Sequence, residues 1–526
     1  DIAPNGSTGT GMASFLLGLP SNFSRYFTGA GYQPGLRQTR LFFYGQDSWR
    51  ITRKLTFNYG LRYENYLPQT AAHPGGAGSF DPNTGEVLVA GVGSVPSNMG
   101  VQAYNLGFAP RLGIAYSITQ HTVIRAGYGR SFTPAGLGAV FGQAPDYDPP
   151  VTIPQQLNQD NNYGSVGFNL LSGPPLPSNP VVGANGRFPL PGDLNVFYFF
   201  NPPSAYRVPL ADSWNLTVQH EITPTLTAEV AYVGNVGRHL FINPNVNQAA
   251  ADPNCQTDGP GGTSTCDDFD SRRQFFPQFG LSQGIYQTCN CDNSSYHALQ
   301  AKLQKRTSKG LDFLVSYTYG KAMANSETGG AFGNNLNWWE DHGPANYDRT
   351  HTLTISHVWQ LPFGRGRHWG TGASKAVDAV LGGWDFSGIT RFESGLPFTV
   401  FADGPNLYAD FNSVRPDQIG DSNVSNQSAS LWFNPAAFTD PQGVARQGFV
   451  RHNSLRGPGF YEFDLSLGKV FRITESKTLE FKWETYNATN HVNLVNPDSD
   501  IHSDTAGQIF GAADMRQMQF GLHFRY

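Results

Sequence analysis

The sequence predicts an all-β protein, and within that class a transmembrane antiparallel up-and-down β-barrel. Three observations lead to this fold class. The chain of 526 residues contains few charged residues but many aromatic residues and glycines. Long segments alternate strictly between apolar and polar side chains. The connections between these segments are alternately short and long, as they are in bacterial outer-membrane barrels.

The composition separates this chain from ordinary soluble proteins. Asp, Glu, Lys and Arg make up 14% of the residues, against about 25% in typical soluble domains. Aromatic residues reach 13%, and 60 Gly and 36 Pro supply many turn formers. A transmembrane barrel has this composition because only alternate residues of each strand face lipid. The net charge of −5 provides no basic surface, so we expect no nucleic-acid partner.

Alternation with a period of two is the strongest local signal. In the segment 54–66, one face carries the apolar side chains Leu55, Phe57, Tyr59, Leu61 and Tyr63. The other face carries Thr56, Asn58, Gly60, Arg62 and Glu64. Successive side chains of a strand point to opposite sides of the sheet. The segment is long enough for the roughly 9–11 tilted residues that cross a bilayer.

Thirteen segments share this pattern, at 39–50, 54–66, 107–118, 121–132, 211–222, 225–236, 294–306, 310–322, 350–361, 383–393, 460–472, 477–488 and 515–526. Five connections are short turns, at 51–53, 119–120, 223–224, 307–309 and 474–476. The long connections are rich in Gly, Pro and Asn and lie at 67–106, 133–210, 237–293, 323–349, 394–459 and 489–514. One connection, 362–382, is longer than the other turns, and its residues 374–381 are predicted to form a small periplasmic helix.

The connections also predict an orientation. Because short turns are periplasmic and long loops extracellular in such barrels, Tyr526 is placed in the periplasm. Single-chain bacterial barrels have an even number of strands and close without an edge. An odd count of thirteen therefore implies further strands before this chain. We expect residues 1–38 to be an extracellular loop segment and 39–526 to be the C-terminal part of a barrel of about 22 or more strands.

The alternative fold is a soluble propeller or sandwich. Its strands would be shorter, and its loops would not alternate so regularly in length. A propeller would also show a repeat of fixed period, which the sequence lacks. The sequence contains no G-x-S-x-G, Walker, HExxH or Rossmann motif, so we expect neither an enzyme nor a bound cofactor.

Several segments resemble the Oar-like TonB-dependent receptors. The early ones are FYGQDSWRITRKLTFNYGLRYE at 43–64, FAPRLGIAYS at 108–117, TVIRAGYGRSF at 122–132, WNLTVQHEI at 214–222, EVAYVGNVGRHL at 229–240 and SSYHALQAKLQKR at 294–306. The later ones are LPFGRGR at 361–367, GGWDFSGITRFESGLPFTV at 382–400, LRGPGFYEFDLSLGKVFRI at 455–473, FKWETYNATNH at 481–491 and RQMQFGLHFRY at 516–526. Together they cover nearly every predicted strand in order.

The resemblance implies an outer-membrane transporter. Members of this family carry an N-terminal carboxypeptidase-regulatory-like domain, then a plug, then the barrel, and this chain resembles only the barrel. The implied partners are outer-membrane lipid, the TonB complex through the missing N-terminal parts, and an unknown extracellular ligand. We therefore expect energised transport of a bulky solute across the outer membrane. The solute class stays open, since an oligosaccharide, a metal chelate or a peptide would each suit the long, polar external loops. A surface adhesion barrel and a passive porin are the two alternatives.

The end of the chain has an alternating aromatic pattern, formed by Phe520, Leu522, Phe524 and Tyr526. Such an ending resembles the signal that the barrel-assembly machinery reads, by strand pairing with an exposed edge. The same side chains also suit a strand that faces lipid. Both interpretations hold together, because the signal is made of that strand.

The four cysteines are Cys255, Cys266, Cys289 and Cys291. Export exposes thiols to an oxidising compartment, which favours disulfides in an extracellular loop. A zinc site would usually have two-residue gaps and a pair of histidines. The disulfide interpretation is therefore preferred over metal binding, with the connectivity left open.

The aromatic and charged residues of the strands have simple explanations. Interfacial girdles account for Trp49, Tyr63, Tyr66, Trp214, Tyr319, Trp359, Trp384 and Trp483. The lumen side carries Arg62, Glu64, Arg125, Glu221, Glu229, Lys302, Arg391, Glu393, Glu480, Lys482 and Glu484. These charges would line water or contact a plug.

Two loop motifs contain enough polar residues to suggest a metal. The first is Trp338-Trp339-Glu340-Asp341-His342, followed by Asp348 and His351. Loop polarity explains it better than a metal site, because no second pair of ligands is apparent. The second, 81–85, lacks the spacing and distal Glu of a calcium loop and is interpreted as a turn.

Overall fold

The computed structural model describes residues 18, 22–28, 33–133, 149–158, 168–176, 180–190, 198–200, 207–250, 270–325, 333–402, 413–441 and 446–526.

One large antiparallel sheet dominates the structure. Its long strands are β1 (Arg40–Arg50), β2 (Leu55–Tyr66), β3 (Phe108–Ser117), β4 (Thr122–Phe132), β5 (Leu210–Thr223), β6 (Leu226–Ile242), β7 (Cys289–Ser308), β8 (Leu311–Ala324), β9 (His351–Gln360), β10 (Trp384–Glu393), β11 (Phe460–Arg472), β12 (Thr478–Tyr486) and β13 (Gln517–Arg525). They pair in sequence order, and the short strand Gly343–Pro344 adds to β8 as a fourteenth. The thirteen predicted strands and their up-and-down order are confirmed.

The register separates the sheet into an apolar face and a polar face. Residues directly opposite each other in an antiparallel ladder lie on the same face. Phe57 of β2 lies opposite Trp49 of β1 and Ile114 of β3. The same apolar face continues to the far edge, where Trp483 of β12 lies opposite Phe520 of β13. We call this sheet, with its two faces, the wall.

The short turns lie at one end of the wall, and we call this the short-turn end. Three of them contain a threonine, two residues after the strand end, whose Oγ1 accepts the backbone N–H of the third residue after it. The threonines are Thr52, Thr119 and Thr474, and the oxygen-to-nitrogen distances are 3.0, 2.9 and 3.1 Å. This local hydrogen bond satisfies a backbone donor where the ladder ends.

The predicted small helix is confirmed as Lys375–Leu381. Its N-cap is Ser374, whose side chain accepts from the N–H of Val377. Among the described residues, the other helical segments are Phe276–Phe279 and the 3₁₀ turns Asp270–Arg272, Asn335–Asp341 and Pro435–Ala437. Within the described ranges, no helix is long and apolar enough to cross a membrane.

Strands β6 and β7 are longer than the sequence pattern predicts. The predicted strands are 225–236 and 294–306, whereas the ladder continues to Ile242 and back to Cys289. The register shifts at Leu240, and His239 has a φ of 56°. A bulge of this kind adds a residue and interrupts the alternation of apolar and polar side chains. The outer part of the ladder could therefore not be predicted from that alternation.

The long connections lie at the opposite end, which we call the long-loop end, and they contain small sheets of their own. Paired strands are Asn22–Thr28 with Thr152–Asn158, Leu36–Arg37 with Thr70–Ala71, Tyr198–Phe200 with Ile285–Gln287, Pro397–Phe398 with Leu455–Arg456, and Asp417–Gln418 with Phe438–Thr439. A three-stranded sheet contains Gly78–Asp81, Glu86–Val89 and Arg187–Pro189. The described parts of these connections are therefore folded.

The two largest apolar cores of the described residues lie among these connections. The first contains Phe80, Val87, Val89, Phe188, Leu190, Phe275, Leu281 and Ile285. The second contains Phe398, Val400, Phe433, Ala437, Phe438 and Val450. The first core joins three long connections, through Phe80, Phe188 and Phe275 among others. The second core lies within the connection 394–459, and Ile501 of the next connection packs against it.

Candidate functional site: the polar face and the long-loop end

The polar face of the wall gathers the charges that the sequence assigns to a lumen. The register places on one face Arg62, Glu64, Arg125, Glu221, Glu229, Lys302, Arg391, Glu393, Glu480, Lys482 and Glu484. This placement confirms the predicted separation of charged and apolar side chains. On a lipid-facing surface, each basic residue among them would cost about 2–4 kcal/mol at mid-depth of the bilayer.

Many of these charges pair with each other along the polar face. Arg391 of β10 bonds to Glu462 of β11, and Arg62 Nε lies 2.6 Å from a carboxylate oxygen of Glu64. Lys482 Nζ lies 2.5 Å from a carboxylate oxygen of Glu484. Mixed charges of this kind give a hydrated surface with no strong field of one sign. The face can therefore line water or contact a polar partner.

The predicted aromatic residues lie mostly on the apolar face, near the strand ends. Trp49 and Trp359 lie toward the short-turn end, and Trp214 and Tyr319 toward the long-loop end. Tyr66 differs from the rest because it is on the polar face. It is buried, and its hydroxyl donates to Glu64. The alternation identified the strand end but not the loops that cover this residue.

The polar cluster after Trp338 joins two long connections. The carboxylate of Asp341 bonds to the guanidinium of Arg415, and both side chains are buried. Asp348 bonds to Arg456 and accepts the N–H of Ala322 at 2.6 Å. We call these two ion pairs, Asp341–Arg415 and Asp348–Arg456, the loop clamp.

The neighbourhood of the loop clamp is also hydrogen-bonded. Asn453 Nδ2 donates to the carbonyl of Pro344 at 2.7 Å and to Asn346 Oδ1 at 2.8 Å. Burial lowers the pKa of the nearby His452 imidazole, which favours its neutral form. These contacts tie the connection 325–350 to the connection 394–459.

The two histidines of this cluster also have partners. His342 Nδ1 lies 2.6 Å from Asn325 Oδ1, and His351 Nδ1 lies 2.8 Å from the hydroxyl of Tyr317. In the part of the chain that the structure describes, His, Cys, Asp and Glu form no group of three or more that could hold a metal. The contacts of Asp341, Asp348 and His342 join neighbouring loop segments and strand ends, as the loop-polarity interpretation expects.

Sequence reasoning missed the arginines of the loop clamp. Arg415 is 74 residues from Asp341, and Arg456 is 108 residues from Asp348. Local spacing carries no information on such pairs. The one available signal is that Arg415 is the first basic residue after Arg391, in a stretch of sequence whose other charged residues are all acidic.

The motif at 81–85 forms a turn, as predicted. Asp81 Oδ1 accepts the N–H of Asn83 at 3.1 Å, and Gly85 has a φ of 70°. The other carboxylate oxygen of Asp81 lies 2.9 Å from Arg187 Nη1. The carboxylate thus stabilises the turn and the three-stranded sheet.

Two of the four cysteines lie in the described residues. Cys289 and Cys291 are joined by a disulfide at the start of β7. Cys255 and Cys266 lie outside the described residues, so the pattern of all four stays a prediction. The side chains of Phe520, Leu522 and Phe524 project from the apolar face of β13 and are exposed, as is Tyr526 after the strand. Recognition of these residues by the barrel-assembly machinery also stays a prediction.

Comparison with known proteins extends these observations. The family described as outer membrane beta barrel domain matches residues 3–519. No curated protein sequence matches the chain. Similar solved structures are the ferripyoverdine receptor of Pseudomonas aeruginosa (10% identity, TM-score 0.41), the FrpB iron transporter of Neisseria meningitidis (11%, 0.40) and the outer-membrane transporter YddB of Escherichia coli (10%, 0.40).

The three alignments cover 92%, 94% and 93% of this chain but only 38%, 46% and 54% of those structures. The chain thus spans about half or less of their length. The family match extends over β1 to β12 and the first three residues of β13. The chain belongs to the family of outer membrane β-barrel domains.

Proposed function

We propose that this chain forms the wall and the extracellular loops of a TonB-dependent transporter that takes up a bulky solute. The observation that carries the proposal is the continuous, charged polar face across thirteen consecutive wall strands. A barrel of eight strands is filled by its own side chains, one of 16–18 leaves a water channel, and one of about 22 holds a plug. The thirteen consecutive strands are too many for a barrel of eight strands and are compatible with the two larger kinds of barrel.

The proposed orientation places the long-loop end outside the cell and the short-turn end, with Tyr526, in the periplasm. Residues 1–38 then belong to an extracellular loop. A plug and the segment that contacts the TonB complex would lie N-terminal to this chain. β13 would carry the signal for the barrel-assembly machinery, because it pairs on one side only within the described residues.

The loop clamp and the two apolar cores support a rigid extracellular vestibule. A vestibule whose loops are already packed loses little conformational freedom when it binds a solute. An oligosaccharide, a metal chelate or a peptide would each fit a wide opening lined by polar loops. The charged pairs of the polar face would contact the plug or the passing solute.

Growth tests the transport proposal. Cells lacking the gene are compared with complemented cells on oligosaccharides, metal chelates and peptides as limiting nutrients. Growth on one nutrient should require both this protein and a working TonB complex. Growth that needs the protein but not the TonB complex would overturn energised uptake in favour of a porin.

Planar bilayers supply the second test. The full-length protein should give no steady conductance, because a plug fills the lumen, whereas a porin conducts continuously. A surface adhesion barrel would show neither conductance nor any dependent nutrient. Loss of surface binding on loop deletion, with uptake unaffected, would support adhesion and contradict the proposal.

A further inference from the structure

One connection at the short-turn end differs from the others. Residues 361–383, which we call the helical connection, link β9 to β10 and contain the helix Lys375–Leu381. The remaining connections at this end are tight turns of a few residues. A segment of this length is not needed to join two adjacent strands.

The helical connection is attached to the apolar face of the wall. Lys469 of β11 lies opposite Trp384 and Phe481, both on that face. Its Nζ donates to the carbonyls of Ala379 at 2.7 Å and of Gly382, at the C-terminal end of the helix. Carbonyls at this end of a helix carry partial negative charge and favour a cation.

A second bond fixes the same position. The indole Nε1 of Trp384 donates to the carbonyl of Val380 at 2.8 Å. Lys469 is buried beneath the segment, with Nζ 5.3 Å from the Trp384 ring centre. The end of the helix therefore lies outside the wall, on the side that faces lipid.

The free surface of the helical connection is apolar. Its exposed large side chains, with their exposed fractions, are Phe363 42%, Trp369 52%, Val377 47%, Val380 66% and Leu381 56%. The rings of Phe363 and Trp369 contact each other, with their centres 5.2 Å apart. In water these side chains would remain hydrated, whereas at a membrane surface they would be buried.

The polar residues of the helical connection are mainly basic. Arg365, Arg367 and Lys375 are exposed, and among the described residues none of them is in an ion pair. The one acidic residue is Asp378, whose Oδ1 accepts the N–H of Arg365 at 2.6 Å. This local excess of positive charge contrasts with the net charge of −5 for the whole chain.

We propose that the helical connection lies in the headgroup layer beside the wall and binds the phosphate groups of anionic phospholipids. The apolar side chains enter the boundary of the acyl region, and the arginines and Lys375 contact phosphates. The position is continuous with the lipid-facing surface of the barrel. The identity of the leaflet rests on the proposed orientation, which makes it the periplasmic one.

Native mass spectrometry of the full-length protein in detergent tests the charge contribution. Phosphatidylglycerol and phosphatidylcholine are titrated onto the wild type and onto the triple variant R365Q/R367Q/K375Q. We expect the triple variant to lose roughly a hundredfold in affinity for phosphatidylglycerol, because each basic residue at an anionic surface contributes about a fivefold factor. Binding of phosphatidylcholine should not change.

The matched control removes three exposed basic residues from another short turn, in the variant R50Q/R53Q/K54Q. It should retain most of its phosphatidylglycerol affinity. Equal losses in both triple variants would overturn the proposal, since any basic turn would then suffice. Equal affinity of the wild type for the two lipids would also overturn it and would favour a protein partner.

Tryptophan fluorescence in lipid vesicles gives an independent measurement, in which the charge of the protein is not altered. The full-length protein is reconstituted in vesicles of phosphatidylcholine and phosphatidylglycerol, with or without brominated acyl chains. The difference between the wild type and W369F reports Trp369. We expect brominated lipid to quench the fluorescence that is due to Trp369. Quenching by aqueous iodide alone would place Trp369 in water and contradict the proposal.

The orientation can fail without the lipid proposal failing. An epitope inserted beside Asn426, which is exposed in a long connection, should be accessible to antibody on intact cells. Access only after permeabilisation would reverse the orientation and refute the transporter as proposed. The lipid measurements on purified protein would retain their meaning, with the opposite leaflet as the binding surface.

Discussion

The loop clamp provides the sharpest prediction about stability. In the variant R415L, the carboxylate of Asp341 stays buried without its partner, since the side chains of Arg415 and Asp341 are only 6% and 8% exposed. Removing one partner of a buried ion pair costs about 3–5 kcal/mol. We expect this cost in the local opening of the two connections, while the wall strands keep their stability.

Hydrogen exchange with mass spectrometry measures that opening in the full-length protein in lipid nanodiscs. Amides such as Gly448 N–H, which donates to the carbonyl of Arg415 at 2.9 Å, should exchange faster in R415L. The expected increase is roughly two to four orders of magnitude, which converts 3–5 kcal/mol at about 1.4 kcal/mol per tenfold. The exchange rates of amides in the wall should not change.

The matched control is R446L. Arg446 pairs with Asp417 in the same connection, but the two side chains are 29% and 15% exposed. Partly solvated pairs contribute about 0–1 kcal/mol, so the control should accelerate exchange by about fivefold at most. Adding D341L to R415L should recover most of the protection, because no buried charge is then left unpaired. Exchange in R415L no faster than in R446L would refute the argument.

Three further predictions follow from single contacts. The hydroxyls of Ser503, first, and Thr505 donate to Asp498 and lower the pKa of its carboxyl. The carboxylate therefore stabilises its loop above the unfolded pKa, and this stability is lost as the pH falls through the lower folded pKa, so that hydrogen exchange in the loop becomes faster in acid. The variant D498N should show no such acid-dependent rise in exchange, and a pH profile like that of the wild type would contradict the prediction. K469M should accelerate exchange in the helix Lys375–Leu381 by removing charge-assisted bonds of about 2–3 kcal/mol, and unaltered exchange would show that the helix is held otherwise. Deleting Phe524 to Tyr526 should deplete the heat-modifiable folded protein in outer membranes, whereas undiminished levels would exclude an assembly role.

The wall could be predicted from the sequence because its signal is local. Period-two alternation in each segment, such as Leu55 to Tyr66, fixes the strand and its two faces without knowledge of the partner strand. The small helix was equally predictable, since Ser374 provides an N-cap directly before it. Pairing then follows from sequence order, because neighbouring strands are joined by turns.

The long-loop end could not be predicted, because its stability comes from contacts between distant segments. The core that joins Phe80, Phe188 and Phe275 has no periodic pattern. The pair Asp341–Arg415 bridges two connections across the wall strands between them. The bulge at Leu240 likewise concealed the outer ladder of β6 and β7.

A cryo-electron microscopy map of the full-length protein in a lipid nanodisc tests the barrel and its plug most directly. We expect β1 to β13 in consecutive order within one closed barrel. Phe57 and Trp483 should face lipid, and the Arg391–Glu462 pair should face a lumen that holds a plug. A barrel with this pair toward lipid would contradict the wall, and a barrel with an empty lumen would contradict the transporter.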